Sequence, residues 1–334
     1  MLPTISASDI KGVVGFMITP VLDQEITAKS NDVINLEEAA RAADALVRDG
    51  VSGICLNGTF GELPSLTWSE LQAFTQAVVD SVNHRVPVFA GATTLNTRDS
   101  ITRGRRFREI GADGLLLGRP MMSALGDEAI VDFYRDVTSE IPDMAVFLYD
   151  DAEAFKRPIN TQVYGELSKI PQIVAAKYRT RLLVGSLAPN TYEDNALAAK
   201  NFPLLVHEGD WAFAYREFGV PACWSSSVSA GPAPVIALQE ALESGDKEAA
   251  DAIRDDIRWA MDGLVPEAGF EAWHVHKIPT LKARFVAAGY IAAGPPLPPY
   301  QFLPEERRLA AERCGERWAE LQGKYSQSAV PAGS

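Results

Sequence analysis

Short apolar runs alternate along the chain with longer segments whose apolar positions recur at helical spacing. Eight runs read as strands, at residues 13–20, 52–58, 86–93, 114–119, 145–150, 173–178, 204–208 and 222–228. They are almost unbroken in apolar character, the pattern of a parallel sheet covered on both faces. Strand–helix alternation repeated eight times predicts an α/β protein, a closed (β/α)8 TIM barrel, better than an open doubly wound sheet. No strand is followed by G-x-G-x-x-G, so a dinucleotide-binding fold lacks its fingerprint.

The intervening helices carry their own signals. Thr67 ahead of Trp68–Ser69–Glu70 is a capping box leading into LQAFTQAVVDSV. Asn96 or Thr97 can cap a helix running through Arg108 and closing at Gly111. Asp127 and Glu128 place carboxylates at the positive end of the helix AIVDFYRDV. Residues 179–202 are the least regular. After the eighth strand, PAPVIALQEALESG supplies the last barrel helix, and two or three further helices continue to about Gln322 without a linker signature. The expected division is a barrel core over 1–232, C-terminal helices packed on it over 233–323, and a disordered tail over 324–334. Pro295–Tyr300, PPLPPY, reads as a stiff extended connector.

Composition narrows this picture. The chain has 334 residues, 47% of them hydrophobic, enough for one large barrel core. Its 44 acidic and 31 basic residues leave a formal net charge of −13, which argues against a nucleic-acid or anionic-membrane partner. Cys55, Cys223 and Cys314 are scattered and odd in number, so neither a disulfide framework nor a zinc ribbon is indicated. With no signal peptide and no apolar run long enough to span a bilayer, the expected location is cytoplasmic.

In a barrel of this kind the chemistry gathers at the C-terminal ends of the strands. Strand six ends in Lys177, after the buried-looking run IVAA. Burial disfavours the charged ammonium, and a neutral amine is what attack on a ketone requires. The alternative is a lysine that snorkels to solvent just past the strand. Tyr149 ends strand five, where its phenol could carry protons or simply pack. The turn after strand two, Gly58–Thr59–Phe60–Gly61–Glu62, has glycines that let backbone N–H groups approach an anion. His207, Glu208 and Asp210 raise a metal site, but a strand would place His207 on the same face as Gly209, not Glu208, so no metal is expected.

Together GTFGE followed by SLTWSE, the tyrosine of FLYDD and the lysine of VAAKY resemble the dihydrodipicolinate synthase/N-acetylneuraminate lyase superfamily of class I aldolases. The resemblance spans nearly the whole barrel, with the motifs in order. It implies a homotetramer without a cofactor, Lys177 as the Schiff-base amine, Tyr149 as general acid/base, and Thr59 with its turn as the binder of a pyruvate carboxylate. Phe60 stands where the biosynthetic synthase usually has a second threonine, and Arg119–Pro120–Met121–Met122 replaces the tyrosine pair after strand four. Lysine biosynthesis is therefore not expected. GTFGE with LTW, LGRPM, EAFK, ACWSSSV, GPAP and KARFVAAGY are similar to the hydratase-aldolase branch, which implies an arylidene-pyruvate substrate of the trans-o-hydroxybenzylidenepyruvate or trans-2'-carboxybenzalpyruvate type. Asp150–Asp151 departs from the Asn-Pro-like turn expected after the tyrosine. Those carboxylates either alter the preference on the aryl side or cap the next helix. Trp224 and Phe60 are candidate walls for the aryl ring, with Met121 and Met122 behind them. Ser225 beside Trp224 is a candidate substrate contact, and Arg179 with Arg181 could receive an anionic ring substituent. The rival readings are another pyruvate aldolase acting on sugar acids or 2-keto acids, a metal-dependent barrel hydrolase using His207 and Asp210, and a non-catalytic pyruvate-binding paralogue.

Overall fold

A computed structural model describes residues 3–152, 154–178, 189–267 and 269–328. The sheet is a closed barrel in which eight strands follow one another in chain order. They are β1 (Gly12–Phe16), β2 (Gly53–Cys55), β3 (Val88–Gly91), β4 (Gly114–Leu117), β5 (Ala145–Asp150), β6 (Ile173–Tyr178), β7 (Leu204–His207) and β8 (Ala222–Ser225). Pairing from β2 through to β8 is parallel. The expected α/β barrel with additional C-terminal helices is therefore the fold.

Eleven α-helices occur among the described residues: α1 (Leu36–Arg48), α2 (Trp68–Val82), α3 (Thr97–Ile110), α4 (Asp127–Glu140), α5 (Thr161–Leu167), α6 (Pro189–Ala198), α7 (Glu208–Phe218), α8 (Ala233–Glu243), α9 (Lys247–Met261), α10 (Phe270–Ala288) and α11 (Glu305–Ser328). The sequence signals act as expected at several ends. Thr67 accepts from the Glu70 N–H while the Glu70 carboxylate accepts from the Thr67 N–H at 2.9 Å. Asn96 caps α3 by accepting from the Asp99 N–H at 2.9 Å, and Gly111 closes it in the left-handed region at φ 96°. α10 is broken at His276, three residues before Pro279, whose ring and missing N–H disrupt the preceding turn.

Two compact units make up the chain: residues 1–14, 52–56 and 84–224, and residues 15–51, 57–83 and 225–334. The first has a core of apolar strand residues such as Phe89, Phe147, Leu148 and Leu205, all fully buried. In the second, α11 docks on the segment after β8: the Trp318 indole N–H donates to the Gly231 carbonyl at 2.8 Å, and the Gln322 side chain accepts from the Ala233 N–H at 2.8 Å. The expected tail from 324 needs correction. α11 runs through Ser328, because the Lys324 ammonium and Tyr325 hydroxyl both reach Asp256 on α9 at 2.5 Å. Residues 329–334 lie outside the described ones.

Candidate active site

β5 and β6 lie in register, with Tyr149 opposite Lys177 and Asp150 opposite Tyr178. Side chains alternate between the faces of a strand, and the contacts separate the two pairs. Lys177 is 1% exposed, and its Nζ stands 4.4 Å from the centre of the Tyr149 ring and 4.2 Å from that of Trp224 on β8. The Lys177 amine is thus enclosed by two aromatic rings. Cys55 on β2 is buried as well; burial pushes its thiol well up, with the Lys177 charge pulling the other way.

Both rings are fixed from behind. The Trp224 indole N–H donates to the Tyr178 carbonyl at 3.1 Å, and His207 meets the Trp224 ring edge-on at 4.6 Å. Tyr149 packs edge-on against Phe155 at 5.3 Å. Phe155 lies against Gly118, where any β-carbon would run into the ring, and under the Arg119 guanidinium at 5.1 Å.

The outward face of the same strands holds a buried polar network. Arg119 Nη1 donates to Asp150 Oδ1 at 3.1 Å, and its Nη2 donates to the Arg157 carbonyl at 2.7 Å. Asp150 Oδ2 accepts from the Tyr164 hydroxyl at 2.9 Å, and both its oxygens accept from the Ile159 N–H at 3.3 Å. Burial raises the Asp150 carboxyl, with Arg119 and Tyr164 opposing the rise. Burial and Asp150 push the Tyr164 phenol well up. Asp150 is therefore committed to the scaffold of the β5 end and not to an aryl pocket. Asp151 is also buried; its Oδ1 accepts from the Ala154 N–H at 3.3 Å and its carbonyl from the Phe155 N–H at 3.0 Å, which shapes the turn.

His207 and Glu208 require a correction. β7 ends at His207 and Glu208 opens α7, so strand alternation does not separate them. His207 Nε2 lies 2.9 Å from Glu208 Oε2, and its Nδ1 accepts from the Gly209 N–H at 3.3 Å. Among the described residues no group of three His, Cys, Asp or Glu side chains is arranged to hold a metal ion.

The second unit carries the Gly58–Glu62 turn. A β-carbon at Gly61 would come within 2.9 Å of the Asn57 nitrogen, so the close return of the chain needs glycine. The Thr19 hydroxyl donates to the Gly61 carbonyl at 2.8 Å, fixing the turn beside Thr59 and Phe60. The Phe60 ring lies under the Lys277 ammonium of α10 at 5.1 Å. Ser225 also belongs to this unit, and its hydroxyl is buried with no hydrogen-bond partner among the described residues. Buried polar groups are nearly always satisfied, so Ser225 is suited to meet a bound polar group. Met122 is 72% exposed. Arg179 and Arg181 lie outside the described residues.

Arg119, Phe155, Lys277 and Lys282 were not singled out from sequence. Arg119 offered the one visible signal, a cation directly after an apolar strand run. The partners that give these residues meaning are distant in the chain.

Fold and site together define a (β/α)8-barrel lyase. Residues 9–311 match the dihydrodipicolinate synthetase family, and the chain belongs to that family. It is 39% identical over 326 residues to the trans-2'-carboxybenzalpyruvate hydratase-aldolase of Nocardioides sp. (strain KP7), covering 97% of each chain. It is also 39% identical over 329 residues to the trans-O-hydroxybenzylidenepyruvate hydratase-aldolase of Pseudomonas putida, again covering 97% of each. The solved structure described as PhdJ bound to substrate intermediate superposes with a TM-score of 0.93 at 43% identity, covering 97% of this chain and 99% of that one. The resemblance to the hydratase-aldolase branch, read from GTFGE with LTW, LGRPM, EAFK, ACWSSSV, GPAP and KARFVAAGY, is thus borne out.

Proposed function

We propose that the chain is a Schiff-base-forming hydratase-aldolase that converts an arylidene-pyruvate and water to an aromatic aldehyde and pyruvate. The observation that carries this reading is the Lys177 amine, buried at the end of β6 between the Tyr149 and Trp224 rings. The relatives named for the two arylidene-pyruvate substrates support the same chemistry.

Lys177 Nζ adds to the C2 carbonyl and expels water, forming an iminium that draws electrons from the conjugated C=C. Water then adds, its oxygen to C4 and its proton to C3. Tyr149 takes the proton of the new hydroxyl as the C3–C4 bond breaks, and the aldehyde departs. The remaining enamine is protonated at C3 and hydrolysed, releasing pyruvate and the free amine. In this reading Gly58, Thr59 and Gly61 hold the substrate carboxylate, Phe60 and Trp224 flank the ring, and Ser225 meets a polar substrate atom. Arg179 receives an anionic ring substituent. No metal or organic cofactor takes part. A cytoplasmic homotetramer completes the proposal, with sedimentation as its test; no helix among the described residues is long and apolar enough to cross a membrane.

Borohydride reduction in the presence of pyruvate is expected to add the mass of a reduced pyruvate adduct at Lys177, and Lys177→Ala to lose it together with aldehyde release. Full adduct formation in Lys177→Ala would assign the amine elsewhere and overturn the reading.

A further inference from the structure

The last residue of the turn, Glu62, is fully buried and lies in the left-handed region at φ 54° and ψ 30°. A residue with a β-carbon keeps that conformation only where its surroundings over-determine it. Glu62 Oε1 accepts from the Leu297 N–H at 2.7 Å, and the Glu62 N–H donates to the Thr59 carbonyl at 3.1 Å. Glu62 Oε2 lies 3.0 Å from Nζ of Lys282 on α10, a side chain itself only 3% exposed. The same ammonium donates to the carbonyls of Thr19 at 2.8 Å and Ala293 at 2.7 Å. The Thr19 hydroxyl returns to the turn through its bond to Gly61. One buried cation therefore ties together the turn, the segment after β1 and the segment after α10.

Stability alone does not account for this pair, since replacing a buried ion pair with a well-packed apolar pair of similar volume is often neutral or stabilising. Burial lowers the Lys282 ammonium pKa, and the Glu62 carboxylate opposes this through its charge and its hydrogen-bonding contact. What an apolar pair could not do is pull the strained Glu62 backbone into place by a directed charge. We propose that Lys282, acting through Glu62, is the positioning residue that sets the Gly58–Glu62 turn, so that the site selects a 2-oxo acid over a ketone without a carboxylate. The inference rests on the reading of that turn as the carboxylate binder. Lys282 touches no reacting atom in this scheme; it shapes the backbone that carries Thr59.

Borohydride trapping of the full-length protein with pyruvate and with acetone separates this role from a merely structural one. The native chain is expected to form the Lys177 adduct with both ketones, at lower concentration with pyruvate. In Lys282→Met the pyruvate needed for half-maximal trapping is expected to rise about tenfold or more, with the limiting rate at saturation and the acetone dependence held within about twofold. Glu62→Gln keeps the acceptor for the Leu297 N–H but replaces the charged oxygen facing Lys282 with an amide NH2, so it breaks the ion pair, is expected to show the same selective loss and carries the test if Lys282→Met does not fold. Equal losses for both ketones, or an unchanged pyruvate dependence in either folded variant, would overturn the inference while the native adduct leaves the Schiff-base reading standing. A native chain that forms no adduct with pyruvate would overturn both.

Discussion

Arg119–Asp150 in the first unit and Glu62–Lys282 in the second are both buried ion pairs, yet they are built in different ways. Asp150 accepts from a guanidinium, a phenol and a backbone N–H, and Arg119 also reaches a carbonyl and covers the Phe155 ring. Charge is spread there over several groups, and the product is a rigid aromatic stack behind Tyr149. Glu62 has one backbone donor and one cation, and Lys282 has two carbonyls and one carboxylate. Charge is concentrated there, and the product is a backbone held in an unfavourable conformation. A ring can be positioned by packing, which tolerates partial loss. A strained turn needs a directed pull, which does not.

The largest effect that sharpens this contrast should come from Arg119→Met. Breaking one partner of a buried pair leaves the other charge uncompensated and typically costs about 3–5 kcal/mol. Denaturant unfolding should show a loss in that range, with turnover reduced because Phe155 loses its cover and Tyr149 its backing. A loss under about 1 kcal/mol would mean that the remaining donors carry Asp150 alone, and that the network is more redundant than its geometry implies. Tyr164→Phe should be milder. It removes a single hydrogen bond to a charged group, worth about 1.5–3 kcal/mol, and leaves Arg119 and the Ile159 N–H in place, so the lower end is expected. If Tyr164→Phe destabilised as much as Arg119→Met, the charge would not be distributed at all.

Much of this was legible from residues alone, and the misses share a cause. The bounds of β5 and β6 match the expected runs at 145–150 and 173–178. Other strands are shorter than their apolar runs. Met17, Ile18 and Thr19 after β1, and Ser227 and Val228 after β8, stay buried without joining the ladder. An apolar run reports burial, whereas a strand is defined by pairing, and at the rim of a barrel the two diverge. Lys177 stood out because a cation inside such a run is anomalous by itself. The partners of Arg119 and Lys282 were invisible because charge complementarity is a relation in space, and no local period links residue 62 to 282. The helical start of the expected tail was missed for the same reason, since Asp256 lies far from Lys324 and Tyr325 in sequence.

The smallest expected effect concerns pH, where the two pairs should differ in sign. Burial raises Asp150, so the folded chain holds that proton to higher pH than the unfolded chain does. The stabilising contribution is then complete below the unfolded value of about 3.9 and is lost as pH rises through the folded one. Lys282 is lowered by burial, so the folded chain releases its proton first. Its penalty is full below the folded value and is relieved as pH climbs toward the unfolded value of about 10.4. Unfolding free energies measured across pH should therefore show the native chain losing ground to Asp150→Asn as pH rises above about 4. On the alkaline side the native chain should gain on Lys282→Met. Two slopes of the same sign would break the comparison, because the Lys282 ammonium would then be stabilised by Glu62 and its carbonyls by more than burial destabilises it. The pair behind the turn would in that case be an ordinary stabilising contact, and the case for a directed pull on Glu62 would rest on the trapping experiment alone.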